Sequence, residues 1–271
     1  MDTGTILLDV GGTYIKRPGL PPVPIASGGS REEISAALHT AVTSVTPGLT
    51  GGPARIGVAI PGPFDFQNGI FLMKHKFAAV YGESFAAVAG IPGGVDIRYR
   101  HDVNSVLEGA LRMIDLKGNT ALVSIGTGLG FTCAIDGKVL YGPTGSPAVG
   151  IWNRPYGDGI LEDVVSARGI RNLYVTMGGS PDLSAAGIAR RAYEGEDLAY
   201  QAFNRMGEAL AEALEELTRE YDFCTVLFAG GVSRSLILME EALRNHLGDI
   251  RLSMAPEGAV FRGLEALFEN N

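Results

Sequence analysis

Basic residues are the scarcer charge in this chain: 22 Lys and Arg stand against 30 Asp and Glu, a formal net charge of −8. A nucleic-acid surface needs clustered cations against the phosphate backbone, so this balance argues against one. A nucleotide needs only a local cation, a metal or a nest of amides, and stays open. Long apolar runs are missing too. None approaches the roughly 18 residues of a membrane span. The N-terminus enters its first strand within a few residues, without a basic segment and signal-like apolar core, so a cytoplasmic protein with no membrane partner is expected. Cysteine is scarce: the two, Cys133 and Cys224, lie in strand-like apolar contexts outside any Cys-x-x-Cys, which predicts buried, reduced thiols. What is abundant is ordinary globular material. The 271 residues are 46% hydrophobic and 19% charged, enough for two domains with substantial cores.

The most informative stretch is Ile6-Leu7-Leu8-Asp9-Val10-Gly11-Gly12-Thr13-Tyr14-Ile15-Lys16. An apolar, β-rich run leads into Asp-x-Gly-Gly-Thr and resumes as a second run, the pattern of two strands folded about a glycine turn. Adjacent glycines let backbone N–H groups approach an anion, Thr13 adds a hydroxyl and Lys16 a cation, so phosphate is the natural guest. Asp9, at the mouth of the turn, suits a hydrated Mg²⁺, which takes oxygen ligands and keeps waters. In an ordinary hairpin the same Asp9 would only cap the turn. A partial echo follows at Ala121 to Gly137, where Gly126-Thr127-Gly128 joins two more apolar runs and Asp136-Gly137 makes the next turn. The repetition suggests two similar halves, each offering a phosphate-gripping turn to a shared cleft. A third turn, Gly230-Gly231-Val232-Ser233, follows the apolar run Thr225 to Phe228. A glycine pair there lets adenine and ribose lie against the backbone, or simply makes a close strand-to-helix turn.

Between these turns the chain reads as alternating α and β. Val23 to Ala26 is a short strand in a Pro/Gly-rich loop. Arg31 to Val45 is a helix capped by Ser30, followed by a loop over 46–53. Arg55 to Ile60 is a strand ending at Pro61-Gly62-Pro63, a rigid backbone suited to a cleft wall or to a plain chain reversal. Gln67-Asn68-Gly69 marks a hairpin tip, and Lys74-His75-Lys76-Phe77 is a basic cluster of the kind that is mostly solvated surface. A helix over Ser84 to Ala89 and a strand over Val95 to Arg100 lead to His101-Asp102-Val103-Asn104. Asp102 stands at a strand end and a helix start, where an open α/β sheet places its chemistry and where a helix also takes its N-cap. That helix is read on through Lys117, with Gly118-Asn119 ending it. Further helices are expected over Ala167 to Met177, Ser184 to Glu194, Asp197 to Arg219 and Leu236 to Leu247. A strand over Ile250 to Met254 and a last helix over Gly258 to Phe268 complete the chain. Trp152, a lone tryptophan, reads as core more readily than as a platform for a sugar face.

The order of the three turns, with Asp102 between the first two, resembles the sugar kinase, Hsp70 and actin superfold, which is ribonuclease H-like. Within it the chain resembles the ROK family of sugar kinases and repressors, over nearly its whole length. The resemblance implies an α/β fold of two domains with a cleft between them. Residues 1–115 would carry the first phosphate turn and the catalytic Asp, 116–257 the second turn and the adenosine site, and 258–271 a helix returning to the first domain as the hinge. It implies ATP and Mg²⁺, and transfer of a phosphoryl group to a sugar hydroxyl, of glucose or an N-acetylhexosamine. Similar kinases place their base in Asn-Asp-x-Asn; here Asp102 and Asn104 match and His101 replaces the first Asn. Asp102 would take the hydroxyl proton, and domain closure would exclude water. The cofactor would then be held by Asp9, Gly11, Gly12, Thr13, Lys16, Gly126, Thr127, Gly128, Gly230, Gly231 and Val232, with Asp9 on the metal side. The sugar would meet Gly62, His101, Asn104 and Glu162, the last equally suited to stabilising a helix start.

Several departures from the family accompany this match. Lys76-Phe77 stands where similar proteins carry an Asn-Leu-Pro segment that touches sugar hydroxyls. Ala148 and Ile151 take the places of the Glu and His of a Glu-x-Gly-His segment. No cysteine precedes Leu161-Glu162, where many relatives have a zinc loop, so no zinc is expected. The family's regulators carry a helix-turn-helix before Asp-x-Gly-Gly-Thr; eight residues precede Asp9 here, which weighs against that class. The rival expectation is a superfold ATPase or an altered ROK homologue with a non-sugar substrate. Many similar proteins are dimers, so a homodimer is a further expectation of the resemblance.

Overall fold

The computed structural model describes residues 4–44 and 55–269. The expected loop over 46–53 and the last residue of the first expected helix, Val45, lie outside the described residues. The chain divides into two compact units. One takes in Met1–Asp115, Tyr141–Ala148 and Pro256–Asn271, the other Leu116–Leu140 and Val149–Ala255.

The first unit starts with β1 (Thr5–Val10), β2 (Tyr14–Arg17) and β3 (Leu20–Pro24), then α1 (Arg31–Thr43) and β4 (Arg55–Ile60). A ribbon of β5 (Phe64–Asp65) and β6 (Ile70–Phe71), helix α2 (Phe85–Ala89), β7 (Asp96–His101) and α3 (Asp102–Met113) follow. Its main sheet has the order β3-β2-β1-β4-β7, antiparallel at β3-β2 and β2-β1 and parallel from β1 through β4 to β7. β4 is buried almost throughout, as expected of a parallel strand covered on both faces. Helix α1 begins where the sequence predicts: Ser30 accepts from the Glu33 N–H and Glu33 accepts from the Ser30 N–H, a capping box,. Phe64, Phe71, Phe77, Phe85 and Tyr99 pack ring against ring beneath the ribbon, and burial pushes the Tyr99 phenol up to about 12.

The second unit repeats this plan. It contains β8 (Asn119–Ile125), β9 (Leu129–Ile135), β10 (Lys138–Val139), the ribbon β11 (Pro155–Tyr156) and β12 (Gly159–Ile160), and α4 (Leu161–Val164). Next come α5 (Ala167–Thr176), α6 (Ala185–Tyr193), α7 (Asp197–Tyr221), β13 (Phe223–Ala229), α8 (Glu240–Leu247) and β14 (Arg251–Met254). Its sheet order, β10-β9-β8-β13-β14, matches the first position for position, with the same mixture of antiparallel and parallel pairs. Helix α7 buries Phe203, Met206, Leu210, Leu214 and Leu217, the stripe that the helical spacing predicts. The final helix, α9 (Ala259–Glu265), packs in the first unit against α3. The two helices meet backbone to backbone. A Cβ on Gly109 would lie 1.8 Å from the Ala259 carbonyl oxygen, and one on Gly263 would lie 1.9 Å from that of Ser105.

Several sequence expectations need correction. The short strand lies at Leu20–Pro24 instead of Val23–Ala26: Arg17 pairs with Leu20 across the Gly19 turn, and an edge strand tolerates prolines because its outer N–H groups need no partner. Helix α3 stops at Met113, since Ile114 is already extended at φ −134° and ψ 148°. The helix expected from Leu236 splits into the end of a 3₁₀ segment over Val232–Leu238, itself kinked at Ser235, and α8, with Met239 between them. Loop Tyr141–Ala148 belongs to the first unit, tied there by the Asn104 side chain to the Gly145 carbonyl at 3.3 Å. Cys133 is buried, but Cys224 is exposed. The pairing of β13 with β8 slips between Phe223 and Thr225, leaving Cys224 as the extra residue of a bulge,. Trp152 is 50% exposed and not core.

Candidate active site

In an open α/β sheet, ligands gather outside the carboxyl ends of the parallel strands. In the first unit these ends belong to β1, β4 and β7, and the register holds them level: Asp9 pairs with Ala59 and Ile60 with His101. Beyond β1 the chain turns at once, with the Gly11 N–H donating to the Tyr14 carbonyl at 2.9 Å. The Gly12 carbonyl takes the Ser27 N–H at 3.2 Å. Side chains would crowd here, since a Cβ on Gly11 would sit 3.1 Å from the Tyr14 oxygen and one on Gly12 3.2 Å from Ser27 Oγ. Thr13 is exposed at the tip.

Asp9 and Lys16 face each other across β1 and β2, Nζ to Oδ2 at 3.1 Å. Lys16, expected to grip phosphate, is therefore engaged with Asp9 and is 64% exposed. Burial raises the Asp9 carboxyl above its ordinary range; Lys16 opposes that shift and the charge of Asp102 adds to it. Asp9 beside a glycine turn fits a hydrated Mg²⁺, which needs few protein ligands when water and phosphates supply the rest. Among the described residues there is no cluster of three or more His, Cys, Asp or Glu that could hold a metal by itself.

Asp102 opens α3 directly after β7, and its Oδ1 accepts the Val103 N–H at 2.8 Å. Burial alone would raise its carboxyl, but His101, that N–H and the charge of Lys76 together bring it below the ordinary value. The group is therefore an ionised acceptor at neutral pH. His101 Nε2 accepts the Gly62 N–H at 3.2 Å, so the ring proton lies on Nδ1, 2.8 Å from Asp102 Oδ1 and oblique to it,. Both ring nitrogens thus face the protein, and the side chain is only 15% exposed. Gly62 admits the ring, since a Cβ there would lie 3.3 Å from Nε2. Asn104 is 0% exposed and holds the Gly145 loop. The structure thus brings His101 and Gly62 to Asp102 and gives Asn104 a place beneath the surface. Sequence reasoning set Lys76 aside as solvated. The signal that marks it is long-range: its stem passes 3.9 Å from where a Gly12 Cβ would stand.

In the second unit β8 and β13 lead into glycine-rich turns. The turn after β8 closes with the Gly126 N–H on the Gly128 carbonyl at 3.0 Å, and the Gly126 carbonyl takes the Ala167 N–H at 2.8 Å. Thr127 is exposed. Glu162, in the first turn of α4, accepts the Leu129 N–H at 2.8 Å. Gly128 makes room for this carboxylate, because a Cβ there would lie 2.6 Å from Glu162 Oε2. The end of β13 lies alongside: Ala229 pairs with Ser124, and Gly230, at φ +90°, rides over β8 so closely that a Cβ would be 2.3 Å from the Ile125 oxygen. Gly126 and Gly231 have nothing within 4 Å of the Cβ position, so their faces are open. Val232, expected to touch cofactor, is 7% exposed and belongs to the core.

A duplicated five-stranded plan, with a Gly-Gly-Thr hairpin after the first strand and a carboxylate at the start of the helix after β7, defines the actin, Hsp70 and sugar kinase class of α/β fold. The ROK family model matches residues 25–267, and the chain belongs to the ROK family. Its fold is similar to that of a ROK family glucokinase from Streptomyces griseus, solved with glucose and AMPPNP, at TM-score 0.78 and 20% identity over 97% of this chain and 98% of that one. It is likewise similar to a ROK hexokinase from Thermus thermophilus, at TM-score 0.69 and 20% identity over 96% of each chain. A ROK family transcriptional regulator homologous to the E. coli MLC protein also matches, at TM-score 0.73 and 19% identity over 97% of this chain and 80% of that one. No curated protein matches by sequence. No helix among the described residues is long and apolar enough to cross a membrane.

Proposed function

We propose that this chain transfers the γ-phosphoryl group of ATP to a sugar hydroxyl, with Asp102 as the general base. The observation that carries this reading is the state of Asp102. It stands at the carboxyl end of β7, level with the turn after β1, and is kept ionised by its neighbours. A base in that state can accept the hydroxyl proton as the phosphoryl group arrives. His101, fixed by the Gly62 N–H, lies against the carboxylate, Nδ1 to Oδ1 at 2.8 Å.

Each unit has its own part. The backbone at Gly11, Gly12 and Thr13 takes phosphate oxygens, and Asp9 would hold Mg²⁺, which when bound neutralises phosphate charge. In the second unit, Gly126, Thr127 and Gly128 take phosphate, and the open face at Gly231 takes adenosine. Glu162 keeps the second turn in shape. A hexose or N-acetylhexosamine is the acceptor class.

The test is ATP consumption across a panel of hexoses and N-acetylhexosamines, with Asp102→Asn alongside. Turnover that depends on one sugar and disappears in the variant, while nucleotide still binds, is the expected result. Sugar-independent hydrolysis would instead favour a superfold ATPase or a ROK homologue with a non-sugar substrate. One observation speaks for that second reading: the apolar Ala148 and Ile151 stand where similar ROK sugar kinases carry the Glu and His of Glu-x-Gly-His.

A further inference from the structure

We infer that Lys76 supplies the positive charge that meets the phosphoryl group during transfer, the role the sequence motif offers to Lys16. This rests on the kinase reading above and adds a residue to it. Lys16 is poorly placed for the task. It lies on β2 with its ammonium against Asp9, and its charge is largely spent on that carboxylate.

Lys76 differs in three respects. Its Cδ and Cε both pass 3.9 Å from the Cβ position of Gly12, so the stem lies over the turn that would grip phosphate. Its charge reaches Asp102, lowering that carboxyl, so the ammonium lies within electrostatic range of the base as well. Among the described residues it makes no ion pair. A cation near both the phosphate turn and the proton acceptor, and committed to neither, is poised where negative charge spreads over the phosphoryl oxygens.

The backbone holds it there in advance. Phe77, the next residue, is fully buried with its ring 5.4 Å from that of Phe71. Its φ of 54° is left-handed, a conformation that a bulky residue keeps only when its surroundings impose it. The Phe77 N–H donates to the Ser27 carbonyl at 2.6 Å, and the Ser27 N–H donates to the Gly12 carbonyl at 3.2 Å. Two backbone hydrogen bonds therefore tie Lys76 to the glycine turn across 64 residues of sequence. Such a cation needs little reorganisation at the moment of reaction.

In the step itself, the acceptor oxygen forms the new bond to the γ-phosphorus as the bond from that phosphorus to the β,γ-bridging oxygen breaks. The hydroxyl proton passes to Asp102, and ADP leaves with both electrons of the broken phosphorus–oxygen bond on its former bridging oxygen. Lys76 donates to the transferring oxygens and exchanges no proton.

The experiment compares the unaltered chain with Lys76→Met and Lys76→Arg in two assays. One is steady-state sugar phosphorylation. The other is equilibrium binding of ADP with and without aluminium fluoride, a mimic of the phosphoryl group in flight. Lys76→Met is expected to lower kcat about a hundredfold or more with little change in sugar KM. It should also lose the tighter binding that aluminium fluoride confers on ADP, while ADP alone binds as before. Lys76→Arg should restore part of both. Unaltered aluminium fluoride enhancement in the Met variant, or an effect confined to sugar KM, overturns the assignment. Should the unaltered chain phosphorylate no sugar, the kinase reading falls and the binding assay alone judges Lys76. An unaltered chain without any enhancement also overturns it. Lys76 is only partly buried, so both variants should melt as the unaltered chain does. If Lys76→Met does not, Lys76→Gln takes its place.

Discussion

The two units share a sheet order and pairing pattern, yet the carboxyl ends of their parallel strands differ in character. In the first, Asp9, His101 and Asp102 occupy those ends, with Lys16 and Lys76 close by. In the second, β8 and β13 run out into Gly126, Gly128, Gly230 and Gly231, and the carboxylate beside them, Glu162, is bonded to a backbone N–H. One plan therefore supports two kinds of surface. Charged side chains alter proton affinities and suit chemistry, whereas bare backbone lets a ligand approach closely and suits binding.

The sharpest test of this division is Asp102→Asn. It should reduce kcat by about 10²–10⁴-fold, the usual worth of a general base, while nucleotide affinity holds. Loss of nucleotide binding in that variant would collapse the distinction between the units. Gly230→Ala should act oppositely, through stability. Its Cβ would meet the Ile125 oxygen at 2.3 Å and its φ is +90°, so a loss of at least about 2 kcal/mol in denaturant unfolding is expected. Gly126→Ala places a methyl in open space. It should leave unfolding within about 0.5 kcal/mol of the unaltered chain, but weaken nucleotide binding measurably by calorimetry if this turn lies against the ligand.

The two carboxylates of the first unit can be separated by pH. Asp102 is held below its ordinary value, so its contribution to stability is present above the unfolded carboxylate pKa and is lost as pH falls through the depressed folded value. Asp9 is raised, so its contribution is present below the unfolded pKa and is lost as pH rises through the folded value. Melting temperature followed against pH should therefore rise near neutrality in Asp9→Asn and lose part of its acid dependence in Asp102→Asn. Lys16→Met should do least. An exposed ion pair is worth about 0–1 kcal/mol, and ATP affinity should barely change, in contrast to the large effect assigned to Lys76.

Much of this architecture can be read along the chain. The hairpin at Asp9 to Lys16, its echo at Ile125 to Leu129, the capped start of α1 and the stripe of α7 are local patterns, and each forms where its residues call for it. Asp102 at a strand-to-helix junction is also local. The misses are not. Cys224 is exposed because β13 slips against β8, and the tie of loop Tyr141–Ala148 to the first unit depends on Asn104. Val232 reads as a continuation of a glycine turn but turns inward to the core.

The sequence by itself determined the glycine turns, the carboxylate beside them and the family to which the chain belongs, since spacing and residue type suffice for each. Only the tertiary structure decided which cation each carboxylate meets. Lys16 and Asp9 are brought together by strand register, His101 and Gly62 by neighbouring strand ends, and Lys76 reaches Gly12 through hydrogen bonds to Ser27. Electrostatic partnership depends on distance in space and on exclusion of water, and neither is written in the order of the residues.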